Sequence, residues 1–189
     1  MTDARYIYCS MVKFRTLLLE AKYEYGCMMA QIPSAVASSI IQFGRYIIPD
    51  NFLYFDPTGK EEYGRETEPH VTIKFGLTQP YSREQLQRFL VGTNPFYITI
   101  RNLGVFNTPK FDVVKINVEP DAELLRLRTV FDSLPNEDEH KEYNPHITLA
   151  YVKPGIGKRF ENRTGQGFSK IQINTIKYSD WKQRLYFTI

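Results

Sequence analysis

Two short runs of this chain are near copies of each other. One reads Glu68-Pro69-His70-Val71-Thr72-Ile73-Lys74-Phe75 and the other Asn144-Pro145-His146-Ile147-Thr148-Leu149-Ala150-Tyr151. The shared pattern is Pro-His-(Val/Ile)-Thr-(Ile/Leu)-x-aromatic. The copies lie far apart, so they are no tandem tract. Their β-branched and aromatic residues predict strands. Side chains alternate between the faces of a strand. Val71, Ile73, Phe75 and Leu77 are therefore expected on a core face, with His70, Thr72 and Lys74 on the other. In the second copy Ile147, Leu149 and Tyr151 are expected inside, and His146, Thr148 and Ala150 outside. If the two strands are neighbours, their polar faces meet in one cleft.

The rest of the chain must place those strands. Residues 1–24 read as an N-terminal extension, with a helix capped by Ser10 from Met11 to about Lys22. Residues 25–189 read as one domain. A strand is predicted over Cys27 to Ile32 and a helix from Ser34 to about Phe43, behind Pro33. The stretch from Pro49 to Glu68 is rich in Pro, Gly, Asp and Glu and reads as a long loop, which in a compact domain is often functional. Strand His70 to Leu77 follows. Ser82-Arg83-Glu84-Gln85 is a capping-box pattern ahead of a helix. Strands Phe96 to Phe106 and Phe111 to Val118, a helix opened by Pro120-Asp121, and strand His146 to Val152 come next. His140 falls in an acidic turn and reads as a surface residue. After a Gly/Lys/Arg-rich loop, two strands over about Ile171 to Tyr178 and Arg184 to Thr188 close the chain. This order says α+β. Each half also holds a helix, a loop and a strand introduced by Pro-His, a weak internal echo.

The chain has three histidines, and the paired motif holds two of them. Phosphoester cleavage needs one group to take a proton from the attacking oxygen and another to give one to the leaving oxygen. Imidazole, with an ordinary pKa near 6.5, does either at neutral pH. Hydroxyls such as Thr72 and Thr148 suit the charged phosphoryl oxygens of the transition state. No metal is needed if these four residues act together, and no further His or Cys completes a zinc set. Lys74 shares their expected face, where it either approaches the phosphate or is solvated. Trp181, between the last strands, and Tyr54 and Tyr63, in the long loop, are candidates to stack on a base. Each reads equally well as packing.

Composition narrows the classes. A net charge of +3 over 189 residues is too weak for a long nucleic-acid track. No apolar run approaches the ~18 residues of a membrane span. No signal-peptide core is visible either. Cytoplasmic placement is expected, the host's cytoplasm if the gene is a phage's. Cys9 and Cys27 form no Cys-x-x-Cys pair and are expected as free packed thiols.

The paired His-x-Thr motif resembles the 2H phosphoesterase superfamily, also called 2′-5′ RNA ligase-like. The resemblance covers roughly Tyr25 to the C-terminus. It implies a two-lobed, pseudo-symmetric α+β fold with antiparallel or mixed sheets around a central cleft. It also implies His70 and His146 as general acid and base in unassigned order, Thr72 and Thr148 as phosphate donors, and no cofactor. The run Gly64 to Leu77 is similar to a phage branch, the anti-CBASS phosphodiesterases, which degrade cyclic oligonucleotide immune signals. The expected function is cleavage of 3′–5′ phosphodiesters in small cyclic nucleotides. One alternative is processing of RNA ends carrying 2′,3′-cyclic phosphates. Another is a nucleotide-binding module without turnover.

Overall fold

The computed structural model describes residues 25–58, 63–138, 142–164, 167 and 169–189. The expected helix from Met11 to Lys22, and His140, lie outside these. The chain runs β1 (Gly26–Gln31), α1 (Ser34–Ile47), β2 (His70–Leu77), α2 (Arg83–Phe89), β3 (Phe96–Asn107) and β4 (Asp112–Glu119). It continues through α3 (Ala122–Asp132), β5 (His146–Val152), β6 (Lys170–Ile173), β7 (Thr175–Ser179) and β8 (Arg184–Thr188). The architecture is α+β, as expected.

Local chemistry sets the helix starts. Ser82 and Gln85 form the reciprocal capping box that opens α2. The Asp121 carboxylate accepts from the Leu124 N–H at the start of α3. Each such cap is worth about 1 kcal/mol. Helix α1 runs four residues past its expected end at Phe43. Gly44 lies where α1 crosses β5, and a Cβ there would sit 3.7 Å from Leu149. That glycine serves close packing and does not stop the helix.

The strands form two antiparallel four-stranded sheets, in the orders β2-β1-β7-β8 and β5-β4-β3-β6. The two motif strands, β2 and β5, are edge strands of different sheets and touch each other. The internal echo is a structural two-fold in which each half covers the other. Helix α1 follows β1 but packs on β5, and α3 follows β4 but packs on β2. The segment after α1 then bonds to β5, through the Tyr54 N–H to the Tyr151 carbonyl and the Glu66 N–H to the Leu149 carbonyl. The segment after α3 bonds to β2, through the Thr78 N–H to the Pro135 carbonyl and the Glu137 N–H to the Gly76 carbonyl. One core, including Ile40, Val71, Ile73, Leu127, Phe131, Ile147 and Ile176, fills the space beneath both sheets.

Three expectations need correction. The run from Ile171 to Tyr178 is two strands. β6 pairs with β3 in one sheet and β7 pairs with β1 in the other, with the chain crossing over at Asn174. Buried residues continue on both sides of the crossing, so the apolar pattern hides the break. Secondly, Cys27 is buried and disulfide-bonded, not a free thiol; Cys9 lies outside the described residues.

The third correction concerns the motif strands. Each carries a bulge immediately after its threonine. Met29 pairs with Thr72 but Met28 pairs with Lys74, so Ile73 is the extra residue. Lys115 pairs with Thr148 but Val114 pairs with Ala150, so Leu149 is the extra residue. A bulge reverses the alternation beyond it. Ala150 therefore joins the main core, whereas Tyr151 belongs to a separate aromatic cluster with Phe111 and Val113. Phe75 likewise leaves the core and meets Tyr25 edge-on. The aromatic that ends each copy of the motif is turned away from the main core in both, Phe75 to a partly exposed place and Tyr151 into the second buried cluster.

Candidate active site

His70 and His146 open β2 and β5 and are held alike. The Nδ1–H of His70 donates to the Glu68 carbonyl at 2.8 Å, and that of His146 to the Asn144 carbonyl at 2.8 Å. This bond, two residues back in both cases, assigns the proton of the neutral ring to Nδ1 and leaves Nε2 with its lone pair. The acceptor of His70 is itself fixed. One Glu66 carboxylate oxygen accepts from the Thr67 and Glu68 N–H groups, each at 2.8 Å. The Glu68 carboxylate bonds the buried Lys177 ammonium.

The neighbouring strands complete two matching half-sites. Gln31 stands opposite His70 and Asn117 opposite His146, so each imidazole has a carboxamide beside it. Among the described residues Gln31 Oε1, which is buried, has no hydrogen-bond partner. Opposite the threonines the halves diverge, with Met29 facing Thr72 and Lys115 facing Thr148. The Lys115 ammonium donates to Asn117 Oδ1 at 2.5 Å and lies 4.2 Å from the Phe106 ring centroid. Phe106 meets the His146 ring edge-on at 4.9 Å. Gly104, directly across from Lys115, makes room for this group; a Cβ there would come within 2.6 Å of Asn117 Oδ1.

Burial sets the electrostatics. Desolvation pushes the His146 imidazole down to about 4, against the opposing hydrogen bond to Asn144. The Lys115 ammonium and the His70 ring both push it the same way, which puts both within electrostatic reach of His146. Desolvation also lowers Lys115, to about 8.

The structure brings His70, Thr72, His146 and Thr148 onto touching strands. Lys74 is corrected. The bulge at Ile73 turns it away from Thr72 into the protein, where it is 2% exposed and paired with Asp132 at 2.6 Å and Asp138 at 3.2 Å. Trp181 lies in the turn beyond Ser179, at the end of the sheet opposite His70. Tyr54 and Tyr63 pack on each other and on Phe111, in a cluster that reaches His146 through Phe106. Sequence reading missed Lys115, Asn117, Gln31 and the Glu68–Lys177 pair. A signal for the first two was present. In Val113-Val114-Lys115-Ile116-Asn117-Val118 a lysine and an amide share one face of an otherwise apolar strand. Among the described residues no group of three His, Cys, Asp or Glu side chains is placed to hold a metal ion, and no helix is long and apolar enough to cross a membrane.

The model of the 2′-5′ RNA ligase superfamily matches residues 54–158, the span that contains both His-x-Thr strands. The chain belongs to that superfamily. Solved structures of similar fold cover most of this superfamily member. One described as a phosphoesterase aligns over 88% of this chain and 95% of its own, with a TM-score of 0.58 and 14% identity. E. coli LigT complexed with NADP+ aligns over 88% and 95%, with a TM-score of 0.57 and 16% identity. Kluyveromyces marxianus Usb1 aligns over 89% and 99%, with a TM-score of 0.55 and 7% identity. At such identities the likeness is one of fold. No curated protein matches the chain.

Proposed function

We propose that this superfamily member is a phosphodiesterase that cleaves 3′–5′ bonds of small cyclic nucleotides without a metal, using His70 and His146 as its acid–base pair. The observation that carries this reading is the duplicated imidazole geometry. Two rings on touching strands each donate Nδ1–H to a carbonyl two residues back. Each thereby turns Nε2 to the work of proton transfer.

The two roles divide by environment. His146, depressed to about 4, is neutral at pH 7 and takes the proton of the attacking oxygen, a ribose 2′-OH or a water. His70, as imidazolium, gives its proton to the leaving 5′ oxygen. One P–O bond forms as the other breaks, and the transferred protons leave His146 charged and His70 neutral. Thr72 and Thr148 donate to the non-bridging oxygens. A superfamily member built this way could remove cyclic oligonucleotide immune signals, the role its motif region resembles.

A second reading is processing of RNA ends. It is favoured by the superfamily's name and by the basic loop of Lys153, Lys158, Arg159 and Arg163. The test is incubation in EDTA with cyclic di- and trinucleotides, 2′,3′-cyclic mononucleotides and a short RNA, read by mass spectrometry. The His70→Ala/His146→Ala double variant is the control. Linear products from cyclic oligonucleotides, absent with the variant, are expected. Cleavage confined to 2′,3′-cyclic ends or RNA moves the assignment to end processing. Ligand recovered intact leaves a binding module, and activity restored by zinc or manganese overturns the metal-free mechanism.

A further inference from the structure

Three buried lysines lie in the two sheets. Lys74 is paired with Asp132 and Asp138, and Lys177 with Glu68. Lys115 is 6% exposed, and among the described residues it has no carboxylate partner. A buried ammonium is costly unless a counter-charge meets it. Its protein contacts use a neutral amide oxygen and the face of a ring. An ammonium has three N–H donors, so this arrangement leaves one to spare.

The direction of that spare donor follows from the ladder. Lys115 is the cross-strand partner of Thr148, and Asn117 that of His146. The Phe106 ring beneath the ammonium is the one that touches His146. Gly104 across the strand keeps the place free of another side chain. Each contact puts the charge beside the second His-x-Thr pair.

We propose that Lys115 is a phosphate-binding residue of this site, donating to a non-bridging oxygen of the phosphodiester alongside the Thr148 hydroxyl. This rests on the phosphodiesterase reading above and adds a direction to it. The phosphate sits nearer the β4/β5 half, because the equivalent place in the β1/β2 half holds Met29. The depressed Lys115 pKa agrees with a charge awaiting an anion.

The experiment titrates inorganic phosphate into the full-length protein with 13Cε-labelled lysine, following the Lys115 signal by NMR. The same titration and steady-state kinetics on a cyclic dinucleotide are run with Lys115→Met and Lys115→Arg. The Lys115 signal is expected to move with phosphate. Lys115→Met should weaken phosphate binding and raise KM by about tenfold or more, the loss of one charge-assisted hydrogen bond. Lys115→Arg should recover most of both. A folded Lys115→Met with wild-type phosphate affinity and KM overturns the proposal, as does a wild-type Lys115 signal that ignores phosphate. The signal in the wild type decides the matter even if Lys115→Met does not fold. If the wild type binds phosphate through Lys115 yet cleaves no nucleotide, the phosphodiesterase reading fails and the anion site stands.

Discussion

Opposite Thr72 stands Met29, and opposite Thr148 stands Lys115. Everything else about the two half-sites is closely matched: an edge strand, a ring held through Nδ1, a carboxamide beside it and a bulge after the threonine. The backbone is duplicated and the side chains around it have diverged. The proposed acid–base mechanism gives that divergence a use. That mechanism uses one ring as base and the other as acid, and two coupled imidazoles in identical surroundings would titrate as a pair, with neither assigned to one role. Desolvation and the Lys115 ammonium act on His146, whereas the loop ahead of His70 carries the Glu68 carboxylate with Lys177. The symmetric scaffold supplies position, and the unmatched residues supply polarity.

The largest expected effect treats the halves as equal. His70→Ala and His146→Ala should each lower kcat by about 10²-fold or more, the usual worth of a proton-transfer group. The double variant should be little worse than either single one, because the two act as a unit. A single variant with wild-type kcat, folded by circular dichroism, would sink the acid–base pair.

The threonines separate the halves. Thr72→Val removes a donor with no charged neighbour across the ladder, and about 10²-fold in kcat is expected. Thr148→Val leaves Lys115 beside the phosphate, so the loss should be nearer tenfold. Equal losses, measured on the same cyclic dinucleotide, would mean that Met29 and Lys115 do not distinguish the two sides.

The bulges explain what could be read in the sequence and what could not. His70, Thr72, His146 and Thr148 precede the extra residue, so simple alternation places them rightly. Lys74, Phe75, Ala150 and Tyr151 follow it, and alternation sends all four to the wrong face. A bulge is set by the partner strand and by what holds its carbonyls, here the Arg128 guanidinium at Ile73 and the Glu66 N–H at Leu149. None of that is local to the motif. Element order was legible from β1 to β5 because caps and periodicity are local signals. The crossing at Asn174 was not, since both sheets bury their share of the same apolar run. Lys115 was missed for a related reason. Its meaning depends on standing opposite Thr148, a register that no single strand encodes.

Lys74 turns that lesson into a measurement. Lys74→Met leaves Asp138, whose side chain is wholly buried, paired with the Arg128 guanidinium alone of the two cations. Unfolding in urea should reveal a loss of about 3 kcal/mol, the scale of breaking a buried ion pair. KM and kcat of the folded fraction should stay within about twofold, since the Lys74 side chain faces Asp132 and Asp138 and the bulge at Ile73 turns it away from Thr72. A selective rise in KM with unchanged stability would return Lys74 to the substrate side.

The smallest effect concerns acid stability. An unfolded His146 titrates near 6.5 and the folded one near 4. Between those values the unfolded chain binds a proton that the folded chain does not. The contribution of this ring is therefore complete above about pH 6.5 and is lost as the pH falls toward 4. The ring is half-buried, so solvent screening limits the loss to the order of 1 kcal/mol. Urea midpoints at pH 7 and pH 5 should drop more for the wild type than for His146→Asn, which has no proton to gain. Lys115→Met should fall between the two. Removing its ammonium lifts one cause of the depression and leaves desolvation, the larger one, in place. An identical acid-side drop in wild type and His146→Asn would show that His146 is not held neutral by the fold. The base role would then have no environmental basis, and the two half-sites would be electrostatically alike.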